Sequence, residues 1–515
     1  VKRVVMLTGK KKKALEPIDI KYHRFKGLKE ASQIIQNFDK EKKVLVYFDP
    51  DIDGLISGYF VCKFLKMIGF DFVWYINKNR GHGFQIPIEN LNGMNIIAVD
   101  FLITSEELIK IVDGGNSIVS MDHHVNEGKY RAWENTEQGS KGVIINNQYQ
   151  FEDEDSRYLS GAGVVFECLR MFLKEFDTVE NRALVGLTLL SDVRDIENRN
   201  ARGYLTDLYT HKYKGYIGYL LDNTIGDVDY GFGVPRLDRN YVDYTFSPLI
   251  NACLRFNKED MVVNFILGRG YLDRKYLQQQ RELVPSLIER AYVEEFDGLR
   301  IVRVDHHVLT SEEVLVASNF IGLVASRYLD ETHSCICYMT NEDGSVKRAS
   351  FRGHFNGGDY RSALNETNLL EGVGHDSAFG ILRLDISGSA FLRLSEVCRD
   401  VDNDFIKNKS VEKKILYINN LSLFMGAEGY NVGMENIFCL SQNRTYVKYT
   451  GNNIVSRRSG AKYKEYAIDG VSVLCFDNSL KPKEDLILPI LERGVLNLYL
   501  NKKNTSDFGD FFFED

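Results

Sequence analysis

The sequence predicts an α/β protein of several domains, because 515 residues are too many for a single hydrophobic core. Short runs of β-branched and aromatic residues alternate with amphipathic stretches in the first part of the chain, a pattern typical of a mostly parallel sheet flanked by helices. Several of these runs end in aspartate or histidine. A parallel sheet gathers such residues at one edge, where open α/β sheets bind their ligands.

The first run, VLVYF, leads into three aspartates, Asp49, Asp51 and Asp53. We expect a buried strand over 44–48 and a helix over 57–68, with the carboxylates in the turn between them. Carboxylates crowded in this way repel one another unless a cation lies between them. On its own, the stretch also fits a polar turn with capping aspartates.

Three later apolar segments end in similar side chains, which are Asp100 in the first, Asp122, His123 and His124 in the second, and Asp192 in the third. We interpret all of these segments as strands whose ends meet. Carboxylates with one or two imidazoles suit Mn²⁺ or Mg²⁺, and suit Zn²⁺ less well because no thiolate joins them. The sequence therefore predicts two divalent metal ions, with Mn²⁺ favoured over Mg²⁺, and phosphoester hydrolysis.

Changes in pattern divide the chain into five predicted segments, which are an α/β domain at 1–225, a helical connector at 226–297, a smaller α/β domain at 298–400, a β-rich domain at 411–503 and an acidic, aromatic tail at 504–515. The connector carries a long helical pattern that we expect to be interrupted at Pro285. We expect short strands joined by turns in the β-rich domain. The tail fits a mobile end, a docking peptide for a partner protein, or a segment that folds back over the protein's own groove.

The metal-bearing stretches DPDIDG, AVDFL, MDHHV and LLSDV resemble, in order and spacing, the four motifs of the DHH phosphoesterase superfamily. Further blocks resemble those of the RecJ-like single-strand-specific exonucleases, namely SGAGVVF, SDVRDIENR, SPLINACLRF, IGLVASR, SFRG and GVGHDSAFG. The resemblance implies a DHH catalytic domain first and a DHH-associated substrate-binding domain after the connector. It also makes an OB-like fold the candidate for the β-rich domain, although the strand pattern there is irregular. It also implies hydrolysis of single-stranded DNA to 5′-nucleotides, in the 5′ to 3′ direction, in DNA repair, recombination or replication.

The same resemblance assigns roles to individual residues. It makes metal ligands of six residues, which are Asp51, Asp53, Asp100, His123, Asp192 and, as an additional candidate, Asp49. It places His124 beside the scissile phosphate. It makes Asp122 a residue that orients a metal ligand without contacting the metal itself. It implies substrate-binding roles for Arg255, Arg352, Gly374 and His375.

A basic stretch near the C-terminus, residues 441–464, contains no acidic residue. Tyrosines are interleaved with its basic residues, which are Arg444, Lys448, Arg457, Arg458, Lys462 and Lys464. Cations for phosphates and aromatic faces for bases are the two parts of a single-strand binding groove. A solvated basic loop is the alternative interpretation.

The composition limits compartment and partners. A net charge of −8 argues against general affinity for nucleic acid, so any binding face has to be local. Eight cysteines without a CxxC pair are predicted to be reduced core residues. No apolar run approaches the roughly 20 residues that span a bilayer, and the basic N-terminus lacks the apolar stretch of a signal peptide. We therefore expect a cytoplasmic protein with no membrane partner.

Two other functions stay open: a phosphodiesterase of short oligonucleotides or cyclic dinucleotides, and a non-catalytic RecJ-like scaffold. Besides single-stranded DNA, the expected partner is a single-strand-binding protein or another replication or repair protein. A second VDHHV stretch at 304–308 repeats the letters of the third motif. Since no aspartate-rich strands accompany it, we expect Asp305, His306 and His307 not to bind metal.

Overall fold

The structure is a computed structural model, and it describes the chain over 20–23, 25–77, 84–91, 93–124, 131–148, 154–192, 198–210, 214–224, 241–330, 332–354, 358–374, 376–408 and the seven strands found between 415 and 501. These residues divide into two compact units. The first lies within Val1–Leu254, Lys258–Leu272 and Lys413–Lys503, and the second within Arg255–Asn257 and Asp273–Glu412. The limits of the five predicted segments stay a prediction.

The first sheet belongs to the first unit and has six strands in the order β2-β1-β3-β4-β6-β5. They are β1 (Val44–Phe48), β2 (Phe72–Ile76), β3 (Asn95–Val99), β4 (Ser117–Asp122), β5 (Ala132–Asn135) and β6 (Ser140–Asn146). Every pair is parallel except β5 with β6 at one edge, which confirms the mostly parallel sheet. Strands β1 and β3 are buried along their whole length, as apolar runs covered on both faces should be.

Helices surround this sheet. Those of the first unit are α1 (Leu28–Gln36), α2 (Ile52–Met67), α3 (Ser105–Asp113), α4 (Gly161–Phe172), α5 (Val179–Ser191), α6 (Arg199–Thr210), α7 (Gly215–Thr224), α8 (Ser247–Arg255, whose last residue is grouped with the second unit) and α9 (Glu259–Ile266). Single turns of 3₁₀ helix lie at Ile88–Asn90, Glu154–Tyr158 and Lys174–Phe176, and a π-helical turn at Val242–Phe246.

Two expectations about these elements are wrong. Helix α2 begins at Ile52 and not at residue 57, because the Oδ1 atom of Asp51 accepts a hydrogen bond from the Gly54 amide at 2.9 Å and caps the helix. The apolar segment before Asp192 is helix α5 and not a strand. Helix α5 is buried on nearly all sides, so its sequence lacks the alternation of polar and apolar faces that marks a surface helix.

The second unit is built on another six-stranded sheet, in the order β11-β12-β10-β9-β8-β7. Its strands are β7 (Tyr292–Phe296), β8 (Leu299–Val304), β9 (Ser334–Thr340), β10 (Val346–Arg352), β11 (Leu370–Gly374) and β12 (Ala378–Leu384). Its helices are α10 (Lys275–Arg290), α11 (Ser311–Val314), α12 (Ile321–Arg327), α13 (Tyr360–Glu366) and α14 (Gly388–Asn408), with 3₁₀ turns at His306–Val308 and Ala317–Phe320. The second region is therefore α/β, as predicted.

Helix α10 continues through Pro285 to Arg290, so the predicted interruption is wrong. Proline removes one backbone hydrogen bond from a helix. Here Val284, just before the proline, and Leu287, two residues after it, are buried in the core that α10 shares with β8, β9 and α12, and this packing holds the helix together.

The last sheet has seven strands in the order β13-β14-β18-β19-β17-β16-β15. They are β13 (Ile415–Ile418), β14 (Tyr446–Tyr449), β15 (Ile454–Ser459), β16 (Lys464–Ile468), β17 (Val471–Cys475), β18 (Leu486–Glu492) and β19 (Val495–Asn501). The β-rich character of this region is thereby confirmed, and the OB-like fold stays a prediction. The acidic tail at 504–515 lies outside the described residues.

Six cysteines are free and buried in the parts of the chain that the structure covers, as predicted for core residues. Two of them, Cys335 and Cys337, lie on β9 in the same apolar core as Val302 and Val324. Among the helices of the described ranges, none combines the length and the apolar character needed to cross a membrane.

Candidate metal centre

Three neighbouring strands of the first sheet end level with one another. Phe48 at the end of β1 pairs with Val99 of β3, and Val99 pairs with Met121 of β4. The residues that follow are Asp49, Asp100 and Asp122. The parallel sheet therefore presents a carboxylate from each of three adjacent strands at its carboxyl edge, as the sequence predicted.

Two groups of side chains that could hold a metal ion form at this edge, and both contain His123. In each group, one ligand atom from every residue lies within 4.8 Å of the others; the groups are Asp53, His123 and Asp192, and Asp100, His123 and His124. The Nε2 atom of His123 lies 3.2 Å from Asp100 Oδ1 and 3.7 Å from Asp53 Oδ2. Its Nδ1 atom lies 3.9 Å from Asp192 Oδ2. One imidazole thus links three carboxylates.

Asp53 is held by the start of helix α4. Its Oδ2 atom accepts a hydrogen bond from the Gly161 amide at 2.6 Å, and its Oδ1 atom accepts one from the Ala162 amide at 3.0 Å. Burial and the charge of Asp51 raise the pKa of Asp53, and the hydrogen bonds from α4 oppose that rise. The partial positive charge of a helix N-terminus therefore supports a carboxylate that has few other sources of stabilisation.

Asp100 is the most constrained of these residues. It is 1% exposed, and its backbone takes a left-handed conformation with φ of 51°, which is uncommon for a residue with a side chain. Its amide donates to the Met121 carbonyl at 2.9 Å, which fixes this conformation. Burial, followed by the charges of Asp53 and Asp51, raises the pKa of Asp100 well above its usual value.

The donor set fits a divalent cation. The Oδ1 atom of Asp100 is buried and accepts no hydrogen bond from the residues that the structure describes, and four other carboxylates raise the cost of its charge. Such an oxygen is costly to bury unless a cation approaches it. Hard oxygen ligands with imidazole are the ligands of Mn²⁺ and Mg²⁺. The residues that would hold the ions are Asp53, Asp100, His123 and Asp192.

Asp49 and Asp51 lie outside both groups, although the sequence predicted them as ligands with the other four. Asp51 uses one oxygen to cap α2. Both lie close enough to the site for their charges to raise the pKa values of Asp100 and His124. Their role as ligands stays a prediction.

His124 and Asp122 form a pair beside these groups. The Nδ1 atom of His124 lies 2.7 Å from Asp122 Oδ1, and Asp122 is 1% exposed while the His124 side chain is 36% exposed. Burial lowers the pKa of His124, but Asp122, Asp49 and Asp51 outweigh it and raise the pKa to about 10. Bound cations would offset part of this negative charge.

Asn146 completes the pair and was missed in the sequence. Its Nδ2 atom donates to the His124 carbonyl at 2.8 Å and lies 3.4 Å from Asp122 Oδ2. Asn146 ends β6, directly opposite Asp122 of β4. Its position at the end of the apolar run GVIIN was the signal that could have identified it.

Gly161 was also missed. A methyl group at this position would lie 2.2 Å from Asp100 Oδ1 and 2.6 Å from Asp100 Cγ, closer than atoms can approach. Since its amide donates to Asp53, Gly161 lies between two of the candidate ligands. The SGAG sequence at the start of a helical pattern was the signal, but the neighbours of Gly161 are set by the tertiary structure.

The predicted substrate-binding residues that the structure describes lie in the second unit. Arg255 Nη1 donates to Gln280 Oε1 at 2.9 Å, and Arg352 Nη1 donates to Ser350 Oγ at 2.9 Å. Gly374 ends β11 with φ of 127°, a conformation that favours glycine. His375 lies outside the described residues. Substrate binding by these residues stays a prediction.

Only some of the basic C-terminal residues lie on described strands of the last sheet. The backbone of four of them lies on strands, with Lys448 on β14, Arg457 and Arg458 on β15, and Lys464 on β16. Strands β15 and β16 are antiparallel neighbours. Arg444 and Lys462 lie outside the described residues.

The second VDHHV stretch has local partners. Asp305 accepts hydrogen bonds from Arg303 at 3.2 Å and from the Thr340 hydroxyl at 3.3 Å, and His306 lies 3.8 Å from Glu342. These contacts place the stretch in the connection after β8, in the second unit.

Comparison with known proteins supports the resemblance. Residues 43–190 match the family model described as DHH family, N-terminal domain. The chain is 22% identical over 409 residues to the "Putative SPbeta prophage-derived single-strand DNA-specific exonuclease YorK" of Bacillus subtilis (strain 168), covering 70% of this chain and 66% of that protein. It is 21% identical over 474 residues to the "Single-stranded-DNA-specific exonuclease RecJ" of the same organism, covering 83% of this chain and 57% of that protein. The chain therefore spans less than two-thirds of the length of either relative.

Solved structures show the same fold. RecJ from Thermus thermophilus in complex with Mn²⁺ superposes with a TM-score of 0.65 at 18% identity, covering 94% of this chain and 72% of that one. An exonuclease RecJ bound to manganese gives a TM-score of 0.51 at 18% identity, covering 75% and 98%. The resemblance inferred from the sequence is thereby confirmed: residues 43–190 match the N-terminal domain of the DHH family, and the chain has a RecJ-like α/β fold.

Proposed function

We propose that this protein is a metal-dependent exonuclease that hydrolyses single-stranded DNA. The observation that carries the proposal is the pair of ligand groups that share His123 at the carboxyl edge of the first sheet. Buried carboxylates joined by an imidazole suit two divalent ions, an arrangement used for displacement at phosphorus. The relatives named as single-strand DNA-specific exonucleases support the choice of substrate.

Asp53, Asp100, His123 and Asp192 hold the ions in this proposal, with Asp49 and Asp51 as further candidates. When bound, divalent ions would neutralise phosphate oxygens and make a water molecule more acidic. Water attacks phosphorus, the bond to the 3′ oxygen breaks, and the proton lost by the water passes to solvent. Protonated His124 delivers a proton to the released 3′ oxygen, and Asp122 orients and stabilises its imidazolium ring.

The finer assignments are proposals on the same basis. Mn²⁺ is favoured over Mg²⁺ because imidazole is a softer ligand than carboxylate. Cleavage from 5′ to 3′ with release of 5′-nucleotides, and work in repair, recombination or replication, rest on the resemblance to RecJ. A single-strand-binding protein, or another replication or repair protein, is the proposed protein partner. Free, buried cysteines fit a reducing compartment, so we propose the cytoplasm.

A cleavage assay tests the proposal. The protein is incubated with Mn²⁺ and single-stranded DNA labelled at either end, and in parallel with RNA, dinucleotides and cyclic dinucleotides. The double variant Asp122→Ala, His123→Ala is the matched control for contaminating nucleases. We expect mononucleotides from long DNA with the wild type and none with the variant, and early loss of the 5′ label if cleavage runs 5′ to 3′.

Two results would replace the proposal. Turnover confined to dinucleotides or cyclic dinucleotides would indicate a phosphodiesterase of short substrates. Absence of turnover with every substrate, under conditions in which the protein binds Mn²⁺, would indicate a RecJ-like scaffold without catalysis.

A further inference from the structure

A buried pair of hydroxyl groups joins the two helix ends that carry candidate ligands. Ser160 precedes α4, and Thr188 lies in the last turn of α5, four residues before Asp192. The Ser160 Oγ and Thr188 Oγ1 atoms are 2.9 Å apart, and both residues are 0% exposed. Because the pair is shielded from solvent, bulk water cannot replace the hydrogen bond between the two hydroxyls when either one is removed.

On the α4 side, Ser160 fixes the turn that binds Asp53. Its hydroxyl oxygen accepts from the Gly163 amide at 3.3 Å and so caps the helix. The next two amides, those of Gly161 and Ala162, donate to the Asp53 carboxylate. Interaction with the Ser160 hydroxyl also lowers the pKa of the Asp53 carboxyl. A shift of this turn would therefore move Asp53.

On the α5 side, Thr188 fixes the turn that ends in Asp192. The Thr188 carbonyl accepts from the Asp192 amide at 2.9 Å and from the Ser191 hydroxyl at 3.2 Å. Its own hydroxyl lies within hydrogen-bond distance of both the Val185 carbonyl and Ser160. Since the Thr188 hydroxyl donates its one proton to the Val185 carbonyl, the Ser160 hydroxyl donates to Thr188, and the pair ties the start of α4 to the end of α5.

We propose that Ser160 and Thr188 are positioning residues that set the separation of Asp53 and Asp192, and hence the affinity of the Asp53, His123 and Asp192 group for a divalent cation. The inference rests on the proposed function, since it concerns the same metal centre. Neither residue contacts substrate in this proposal. Each acts through a helix end whose backbone amide or carbonyl contacts Asp53 or Asp192.

A calorimetric titration of the metal-free protein with Mn²⁺ measures the binding affinity and tests the inference without an activity measurement. Thr188→Val keeps the shape of the side chain but removes the hydroxyl, and we expect about tenfold weaker Mn²⁺ binding. Thr188→Ser keeps the hydroxyl, and we expect an affinity within about twofold of the wild type. Ser160→Ala should weaken binding like Thr188→Val, and it serves as the second variant if Thr188→Val does not fold.

Thr224 offers a matched control in the same unit. It is also 0% exposed, its hydroxyl pairs with the Tyr241 hydroxyl, and it donates to the carbonyl four residues earlier, at Leu220. Thr224→Val therefore removes an equivalent buried pair away from the metal centre. We expect it to lower the melting temperature of the metal-free protein as Thr188→Val does, but to keep the full Mn²⁺-induced rise in that temperature.

The outcomes separate the inference from the proposed function. Equal Mn²⁺ affinity of the wild type and the folded Thr188→Val variant would overturn the inference and leave the proposed function standing. Equal weakening by Thr224→Val would also overturn it, because the effect would then be general destabilisation. A wild-type protein that binds no Mn²⁺ would overturn the proposed function and, with it, the inference.

Discussion

At the scale of the residue, the buried Asp122 carboxylate orients the neighbouring His124 imidazole and favours its protonated form. Asp122 is almost fully buried and holds His124 by its Nδ1 atom, while Asn146 ties both to the next strand. This arrangement suits proton delivery, because the Asp122 carboxylate stabilises the protonated imidazole ring of His124 while the ring donates the proton.

Asp122→Asn tests this role. The amide keeps the size of the side chain but loses the charge that stabilises protonated His124, so we expect kcat on a short single-stranded oligonucleotide to fall about 100-fold. We expect KM to change by less than about threefold, since Asp122 is buried and does not bind substrate in the proposal. Steady-state kinetics with saturating Mn²⁺ measure both. An increase in KM with unchanged kcat would contradict the role.

The sequence pointed to the residues that meet in the two candidate ligand groups but not to all of their neighbours. Asp100 and His123 could be predicted because each ends an apolar run, and parallel strands bring such ends together. Gly161 could not, because Asp100 approaches it from a distant part of the chain. Asn146 could have been found only from its place at the end of an apolar run, since its partners Asp122 and His124 lie at the end of another strand. Neither Asp49 nor Asp51 joins a ligand group, and Asp51 has a second task as a helix cap.

At the scale of the element, the errors have a common cause. Apolar runs buried on all sides have no period, so α5 could not be told from a strand by its pattern. The sequence pattern places the start of helix α2 too late, because the acidic residue Asp53 in its first turn is typical of a loop. Helix α10 keeps Pro285 because burial of Val284 and Leu287 outweighs one lost hydrogen bond. Tertiary packing decides each case.

Helices α10 and α11 are joined by an ion pair with a predictable pH dependence. Arg290 contacts Glu313 at 2.7 Å and 3.0 Å through two nitrogens, and Glu313 also accepts from the Thr310 amide. The Arg290 hydrogen bonds are the main cause that lowers the pKa of Glu313 to about 2. Since the folded-state pKa is depressed, the pair stabilises the fold above the unfolded-state pKa, and the stabilisation is lost as pH falls toward 2.

Glu313→Gln is therefore expected to lower the melting temperature at pH 7 and to have progressively less effect between pH 4.5 and pH 2. The loss at pH 7 should be on the order of 1 kcal/mol, because the pair is partly exposed to solvent. Thermal unfolding followed by circular dichroism at several pH values measures the difference from the wild type. The exposed neighbour Glu312→Gln is the control for a change of net charge. A difference that stays constant over this pH range would contradict the assignment.

At the scale of the whole molecule, three sheets follow one another along the chain, and their order was predictable. The mostly parallel first sheet, the second α/β region and the β-rich C-terminal region each have a distinct sequence pattern. The order of strands within the sheets was not predictable, because it depends on pairing between distant segments. Four of the six basic residues proposed to bind nucleic acid lie on strands of the C-terminal sheet.

Arg457→Ala combined with Arg458→Ala tests that proposal. Both residues lie on β15. We expect weaker binding of long single strands and a salt dependence of log K whose slope falls by about 1 to 1.5, as two phosphate contacts are lost. Cleavage of very short oligonucleotides should be spared. Fluorescence anisotropy over a range of salt concentrations measures the slope.

A matched control for this variant is Arg393→Ala combined with Arg399→Ala. These are two exposed arginines of α14 that pair with Glu396 and Asp297. Their replacement removes the same charge from the second unit and should leave the slope unchanged. Equal loss of affinity for short and long strands in the β15 variant would exclude a binding role for the C-terminal sheet.

Gly161 has a consequence for how distant relatives are sorted into active and inactive enzymes. A chain could retain every aspartate and histidine of the four motifs and still lose the metal centre through one added methyl group here, because that group would displace Asp100. Surveys that score activity from the motif letters alone would count such a chain as an enzyme. The residue that aligns with Gly161 should therefore be inspected together with the ligands when a degenerate copy is to be recognised.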